Sequence, residues 1–385
     1  MTKHDLVVFG EDWGRHPSST QHLIKSMVNG RQVIWVNSIG MRRPKLSGRD
    51  LKRVWEKARS ILGAPLKPTL SNMVAETGAT AEPLPKGLHI LSPIAIPWPG
   101  NKLAAIINRF LLSRQIRKKM RSLGISHPLV WTSLPPAVVI AGALDEKALI
   151  YYCGDDFGAL AGVDHKPVLD MEKDLVRQCD LVIAASEELA SRFPQEKTLL
   201  IPHGVDFGLF TAPHSRPLDM PASPVAGFYG SIADWVDTAR LAKAAKALPD
   251  WNFVFIGKVE TDISTLQFLP NVHFLGPRDH AALPAYVQHF DVALLPFKDN
   301  DQIKACNPLK LREYMAAGQP IVSTVFPSME PYRKLLRAVT PEENLANAIL
   351  EARADTDRND LRREFVRQES WDERARRIES VLDTF

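Results

Sequence analysis

Short apolar runs rich in β-forming residues alternate with amphipathic stretches along the chain. In the first half Asp5–Phe9, Gln32–Asn37, His89–Ser92, Leu129–Thr132, Ala148–Tyr152 and Leu181–Ala185 predict strands, with helical segments such as Thr20–Asn29 and Asn101–Leu123 between them. Runs this apolar are buried on both faces, which calls for a parallel sheet covered by helices. Past Ile201 the texture breaks, with Pro202, Pro213, Pro217, Pro221 and Pro224 in one stretch. A second alternation follows: strands at Val225–Tyr229, Asn252–Ile256, Val272–Leu275, Val292–Pro296 and Pro320–Thr324, helices at Asp237–Ala247, Leu283–His289 and Leu309–Ala317. In each half a helix ends and a strand begins at an aspartate, Asp180-Leu-Val-Ile and Asp291-Val-Ala-Leu-Leu.

Two similar α/β domains are therefore expected, each a doubly wound parallel sheet. Residues 1–205 form the first, 206–223 a linker and 224–370 the second, and 385 residues suit two cores of this size. The Ser-capped helix 371–385 either ends the second domain or completes the first. Ligands of such sheets sit outside the carboxyl ends of the strands, so two facing domains would hold a cleft.

Cys153, Cys179 and Cys306 lie far apart without a C-x-x-C pair, so neither a disulfide framework nor a zinc knuckle is indicated. The opening MTKHDLVVFGEDWG lacks the pattern of a signal peptide. The uncharged stretch 128–144 holds three prolines and falls short of the ~20 apolar residues of a membrane span. A cytoplasmic protein is expected. Charge is unevenly spread: residues 1–150 carry 22 Lys and Arg against 9 Asp and Glu, while the remainder carries 26 against 35. The basic part is expected to face something anionic. Lys102, Arg109, Arg114, Arg117, Lys118, Lys119 and Arg121 share one segment without an acid, and Leu103, Ile106, Ile107 and Phe110 follow helical spacing within it. A basic amphipathic helix of this kind can lie on anionic lipid at the inner membrane face, a solvated basic face being the plain alternative, and the span 42–59 adds eight cations. Stacking aromatics are sparse in both, so no nucleic-acid partner is expected.

Cys306-Asn-Pro-Leu-Lys-Leu-Arg-Glu-Tyr-Met-Ala-Ala-Gly-Gln-Pro-Ile-Val-Ser-Thr324 is the richest segment. Proline favours a helix start, so a helix beginning near Pro308 would aim its free amides at an anion, with Lys310 and Glu313 on one face. Diphosphate and ribose suit that pair; an ordinary surface salt bridge is the plain alternative. The loop Gly10-Glu-Asp-Trp-Gly-Arg-His-Pro-Ser-Ser-Thr20 offers close backbone approach at Gly14 and a cap at Ser18, and lacks both the dinucleotide and the P-loop patterns. Asp155 and Asp156 follow a buried strand, where one would orient or deprotonate a hydroxyl and the other cap a loop. His16 and His203 are loop histidines beside glycines, and no clustered metal ligands stand out.

The 306–324 segment resembles the nucleotide-sugar-binding helix of GT-B glycosyltransferases, especially the family 4 and group 1-like bacterial enzymes. The resemblance extends through Ile201-Pro-His-Gly-Val-Asp206, Phe228-Tyr-Gly-Ser231, Phe255-Ile-Gly257, Phe274-Leu-Gly-Pro-Arg278 and Phe290-Asp-Val-Ala-Leu-Leu-Pro296. Asp12-Trp-Gly-Arg-His-Pro-Ser18 and Tyr151-Tyr-Cys-Gly-Asp-Asp-Phe157 carry it more weakly into the first half. It implies a GT-B fold and transfer of a sugar from a nucleoside diphosphate to a hydroxyl of a glycan or lipid-linked acceptor, with retention and without metal or cofactor, in cell-surface polysaccharide synthesis. By the same resemblance Glu313 would accept hydrogen bonds from the donor ribose, Lys310 with the helix start at Pro308 and Leu309 would hold the diphosphate, and the sugar-hydroxyl contact would fall to Asn307 or its neighbours. Arg278, Lys258, Gly230, Ser231, His203, Gly14 and Arg15 would complete donor binding, and Asp155, Asp156, His16 and Lys310 would serve catalysis. The family's paired acid eight residues before Glu313 is Ala305 here, and the basic pair after Gly230 is replaced by Ser-Ile-Ala-Asp-Trp. A degenerate GT-B protein that binds without transferring, or a sugar-nucleotide epimerase, are the alternatives.

Overall fold

The structure, a computed structural model, describes residues 3–14, 18–41, 84–159 and 163–385. The chain divides into two compact units: the described residues up to Ala184 with Ala190–Leu200 and Arg377–Phe385, and Ala185–Leu189 with Ile201–Arg376.

The first unit holds a sheet of β1 (Leu6–Phe9), β2 (Val33–Val36), β3 (Leu88–Leu91), β4 (Leu129–Thr132), β5 (Ala148–Cys153), β6 (Leu181–Ala184) and β7 (Thr198–Leu200). Their order is β3-β2-β1-β4-β5-β6-β7, parallel throughout. Every residue of β1, β2, β4, β5 and β6 is buried. Since successive side chains point to opposite faces, both faces of this sheet are covered.

The second unit repeats the plan with β8 (Val225–Tyr229), β9 (Asn252–Ile256), β10 (Val272–Phe274), β11 (Val292–Leu295), β12 (Ile321–Thr324) and β13 (Arg337–Val339), in the order β10-β9-β8-β11-β12-β13. Its strands are parallel too. The order reverses between β1 and β4 in one sheet and between β8 and β11 in the other, where doubly wound sheets take ligands. Both Rossmann-like sheets expected from the alternation are present. The sequence reading missed the edge strands β7 and β13, each three residues long. All of β7 and two residues of β13 are only half-buried, so neither makes the apolar run that marks a central strand.

The two recurrent aspartates have one local job. Asp180 Oδ2 accepts the amide of Leu149 at 2.8 Å at the foot of β5, and Asp291 Oδ2 accepts that of Val225 at 2.7 Å at the foot of β8. Within the stretch 206–223, Phe207–Thr211 is a short helix capped by Asp206, and Phe210 is buried in the core of the second unit.

The basic segment is the helix Lys102–Leu123, begun by Asn101, whose Oδ1 accepts the Ala104 amide at 2.9 Å, and ended by Gly124 in the left-handed region at φ 71°. Ala104, Asn108, Leu112, Ile116 and Met120, four apart, form its buried face. Leu103, Ile106 and Phe110 point outward and are 66%, 68% and 64% exposed. Among the described residues no helix is long and apolar enough to cross a membrane.

Candidate active site

Three Phe-x-Gly triplets lie side by side in the second sheet. Phe228 pairs with Phe255 and Phe255 with Phe274, so Gly230, Gly257 and Gly276 follow in register at the carboxyl ends of β8, β9 and β10. The ladder continues past the strands, with the Gly230 amide donating to Ile256 O at 2.8 Å and that of Gly257 to Gly276 O at 3.0 Å. Their φ values of 125°, 148° and 72° lie where side chains are strained. A Cβ on Gly257 would stand 2.0 Å from Gly230 O. The result is a shelf of bare backbone.

Lys310 folds onto the front of this shelf. A Cβ on Gly230 would meet its Cε at 2.2 Å and its Nζ at 2.8 Å, and the ammonium stands 5.8 Å from the centre of the Phe228 ring. Burial lowers its pKa, and among the described residues no carboxylate forms an ion pair with it. It stands in the first turn of the helix Leu309–Ala317, whose N-cap Pro308 offers no side-chain acceptor. Free amides, the positive end of the helix dipole and an unmatched ammonium converge there, an arrangement suited to phosphate.

One turn on, Glu313 is only 6% exposed. Tyr229 Oη donates to its Oε2, and His280 Nε2 lies 2.9 Å from its Oε1. Burial, with Asp206 adding repulsion, pushes its carboxyl up to about 8. Asn307 is fixed from behind: Arg312 Nη1 donates to its Oδ1, while Arg312 Nε donates to Glu369 Oε2 at 2.7 Å and the guanidinium stands 5.3 Å from the centre of the Tyr332 ring. Asn307 Oδ1 is thus taken by an arginine, and its amide N–H groups are the side-chain donors left for other contacts.

The remaining expected donor residues scatter. Ser231 follows Gly230 on the shelf's rim. Arg278 donates to Asp219 Oδ2 at 2.6 Å and to Tyr286 Oη at 3.0 Å, and Lys258 pairs with Glu260 at the surface. His203 is buried, its ring 6.3 Å from that of Trp371, which also lies against Gly204. Ala305 ends a short helix, Asp301–Ala305, and its carbonyl accepts the Ser186 hydroxyl at 3.1 Å. His280, Tyr229, Arg312 and Glu369 carry this geometry and were missed as site residues. Phe-Tyr-Gly did contain Tyr229, but His280 is 33 residues from Glu313 and no local pattern links them.

In the first unit, Gly14 has φ 77° and open space where a side chain would stand, its amide donating to Gln21 Oε1 at 3.2 Å, and Ser18 caps the helix Ser19–Met27. Arg15, His16 and the basic span 42–59 lie outside the described residues. Asp156 accepts the Gly158 amide at 2.8 Å and pairs with Arg192 at 2.7 Å, so it is committed to its loop. Asp155, although its residue surface is exposed, has its carboxyl pKa raised by desolvation and by repulsion from Glu11 and Asp156. Glu172, not foreseen, accepts from Tyr151 and likewise has a raised pKa, chiefly through burial. Of the basic helix's cations, Arg109 binds the carbonyls of Val139 and Ala141 at 2.9 and 2.8 Å, and Arg117 that of Ala143 at 2.9 Å. These two guanidiniums hold a loop.

Comparison with known proteins bears on the same residues. Residues 223–355 match the family described as Glycosyl transferases group 1. The chain is 27% identical over 271 residues to TuaH of Bacillus subtilis (strain 168), named as a teichuronic acid biosynthesis glycosyltransferase, covering 63% of this chain and 68% of the relative. Among solved structures, HepE of Anabaena in complex with UDP-glucose superposes with a TM-score of 0.67 at 15% identity over 99% of this chain and 100% of that one. Sucrose-phosphate synthase of Thermosynechococcus elongatus gives a TM-score of 0.67 at 16% identity over 99% of each chain. Those structures share the GT-B fold with this chain, and the family match falls on the unit that holds the shelf, Lys310 and Glu313, so residues 223–355 are similar to the group 1 glycosyl transferases.

Proposed function

We propose that the chain transfers a sugar from a nucleoside diphosphate to a hydroxyl of a glycan or lipid-linked acceptor, with retention and without a metal ion, in the assembly of a cell-surface polysaccharide. The observation that carries this reading is the ammonium of Lys310, unmatched by any described carboxylate, at an uncapped helix start against the Gly230 shelf. There it would neutralise the diphosphate and the charge that grows on it as the sugar leaves. Glu313 receives the ribose hydroxyls, and Asn307 donates its amide to phosphate or sugar. In the first unit Asp155 is the better placed of the two aspartates to take a proton from the acceptor, since Asp156 is held by Arg192. The name of the Bacillus relative supports a polysaccharide role, and the UDP-glucose bound to HepE supports a nucleotide-sugar donor.

The outward side of the helix Lys102–Leu123 supports docking on the inner membrane face. Leu103, Ile106 and Phe110 stand beside Lys102, Arg114, Lys118 and Arg121, so apolar insertion and attraction to anionic headgroups act together. Ala305 favours a second reading, a protein that binds a donor without transferring it, because a buried methyl stands where the resembled family has an acid.

A thermal-shift screen across UDP-, GDP-, ADP- and CMP-sugars tests the assignment, since a cognate donor raises the melting temperature. Lys310→Ala and Glu313→Ala are each expected to weaken donor binding at least tenfold, and unchanged affinity in both removes the site. A protein that shifts on donor addition yet releases no nucleotide with any acceptor is the binder.

A further inference from the structure

Glu313 and His280 come from distant parts of the second unit, the carboxylate from the helix Leu309–Ala317 and the imidazole from the turn His280–Ala282. Their contact, Oε1 to Nε2 at 2.9 Å, is largely withdrawn from water, with side-chain exposures of 8% for Glu313 and 23% for His280. The Phe210 ring packs edge-on to the imidazole at 5.7 Å. The groups facing the carboxylate are few. Tyr229 from β8 donates to Oε2, and Asp206, ahead of the short helix Phe207–Thr211, repels its negative charge. Tyr314, next along the helix, gives its hydroxyl oxygen to the Tyr229 amide at 3.2 Å, and Lys310 lies one turn back against Gly230. Both carboxyl oxygens are thus held, one by a phenol and one by a ring that can give or accept a proton.

We propose that His280 is a positioning residue and proton store for Glu313: when a nucleotide sugar docks, the proton on Glu313 Oε1 moves to His280 Nε2, leaving an anionic carboxylate to accept the ribose hydroxyls and an imidazolium to pair with it. This rests on the nucleotide-sugar reading above and deepens it. The transfer balances within the pair, with the O–H bond of the acid broken, the N–H bond of the ring formed, and no proton exchanged with solvent. Free protein keeps the acid neutral because burial and Asp206 disfavour its charge; the ligand's hydroxyl donors supply what that charge lacks. Affinity is therefore nearly independent of pH while the pair holds one proton. Without the ring, the same proton must leave for solvent, and affinity falls as pH falls.

The test uses the whole chain and UDP-glucose, whose diphosphate does not titrate between pH 6 and 8, with GDP- and ADP-glucose as the other probes. His280→Gln keeps a hydrogen-bond donor and removes the proton acceptor. For the sugar nucleotide that binds, wild-type affinity is expected to change less than about threefold from pH 8 to pH 6, and that of His280→Gln to weaken by roughly tenfold per pH unit, approaching 100-fold. On wild type, the ring signals of His280 followed by NMR are expected to move to imidazolium values on saturation at pH 7.5. Parallel pH profiles for wild type and His280→Gln, or a ring that stays neutral when saturated, overturn this inference alone. Wild type that binds none of the three probes overturns the nucleotide-sugar reading and this inference together.

Discussion

A methyl group on Gly230 would stand 2.2 Å from Lys310 Cε, on a backbone at φ 125° that favours no side chain. Gly230→Ala is therefore expected to strain the loop by about 1–3 kcal/mol and to push the ammonium off its seat. A lower melting temperature together with at least tenfold weaker nucleotide-sugar binding would be the outcome in calorimetry. Lys310→Met separates the two effects: its stem still packs on the Phe228 face, and a half-buried charge with no carboxylate partner among the described residues is removed. Binding is expected to be lost while the melting temperature holds or rises. Lys310 and Glu313 were legible in the sequence because spacing on one helix put them on one face. The groups that tune them were not, since Tyr229 reaches Glu313 across 84 residues and His280 across 33.

Among the elements, the helix Lys102–Leu123 keeps its outward apolar residues apart from its packed stripe. Leu103, Ile106 and Phe110 have the periodicity of a core face, yet the packed stripe is Ala104, Asn108, Leu112, Ile116 and Met120. Asn108 turns inward because its amide closes two hydrogen bonds with the backbone of Ile96, at 2.7 and 2.9 Å, so a polar residue takes a core position without an unpaired group. Replacing Ile106 and Phe110 together by Ser is expected to leave the unfolding free energy within ~1 kcal/mol of wild type, since neither is buried, and to abolish flotation with vesicles rich in anionic lipid. Loss of stability without loss of flotation would count against the docking face. The strands followed a plainer rule: the runs buried at every residue, β1, β2, β4, β5 and β6, lie inside their sheet, whereas β7 and β13 escaped notice because half-exposed edges carrying Thr198 and Arg337 need no such run.

For the whole molecule, pH sets stability through the buried acids. Glu313, ordinarily near 4.5, is pushed up to about 8, so the folded state holds its proton where the unfolded chain has lost it. The sign follows: this contribution is complete below about pH 4.5 and lost as pH rises through about 8, at up to about 1.4 kcal/mol per pH unit between. Asp155 and Glu172 act in the same direction. Chemical unfolding from pH 5 to pH 8.5 is expected to show a smaller fall for Glu313→Gln than for wild type, and superimposable profiles would refute it. The uneven charge and the two sheets were readable from composition and alternation, because both are properties of many residues summed. The placement of Arg278 was not, because its partner Asp219 lies 59 residues away in a proline-rich stretch without periodicity. The three aligned glycines, finally, confine how this protein can diverge. Each of those positions resists replacement for backbone reasons alone, so on the proposed reading a change of preferred ligand would be written in the rim, at Ser231, Lys258 and Pro277, while the ledge itself passes unaltered from one specificity to the next.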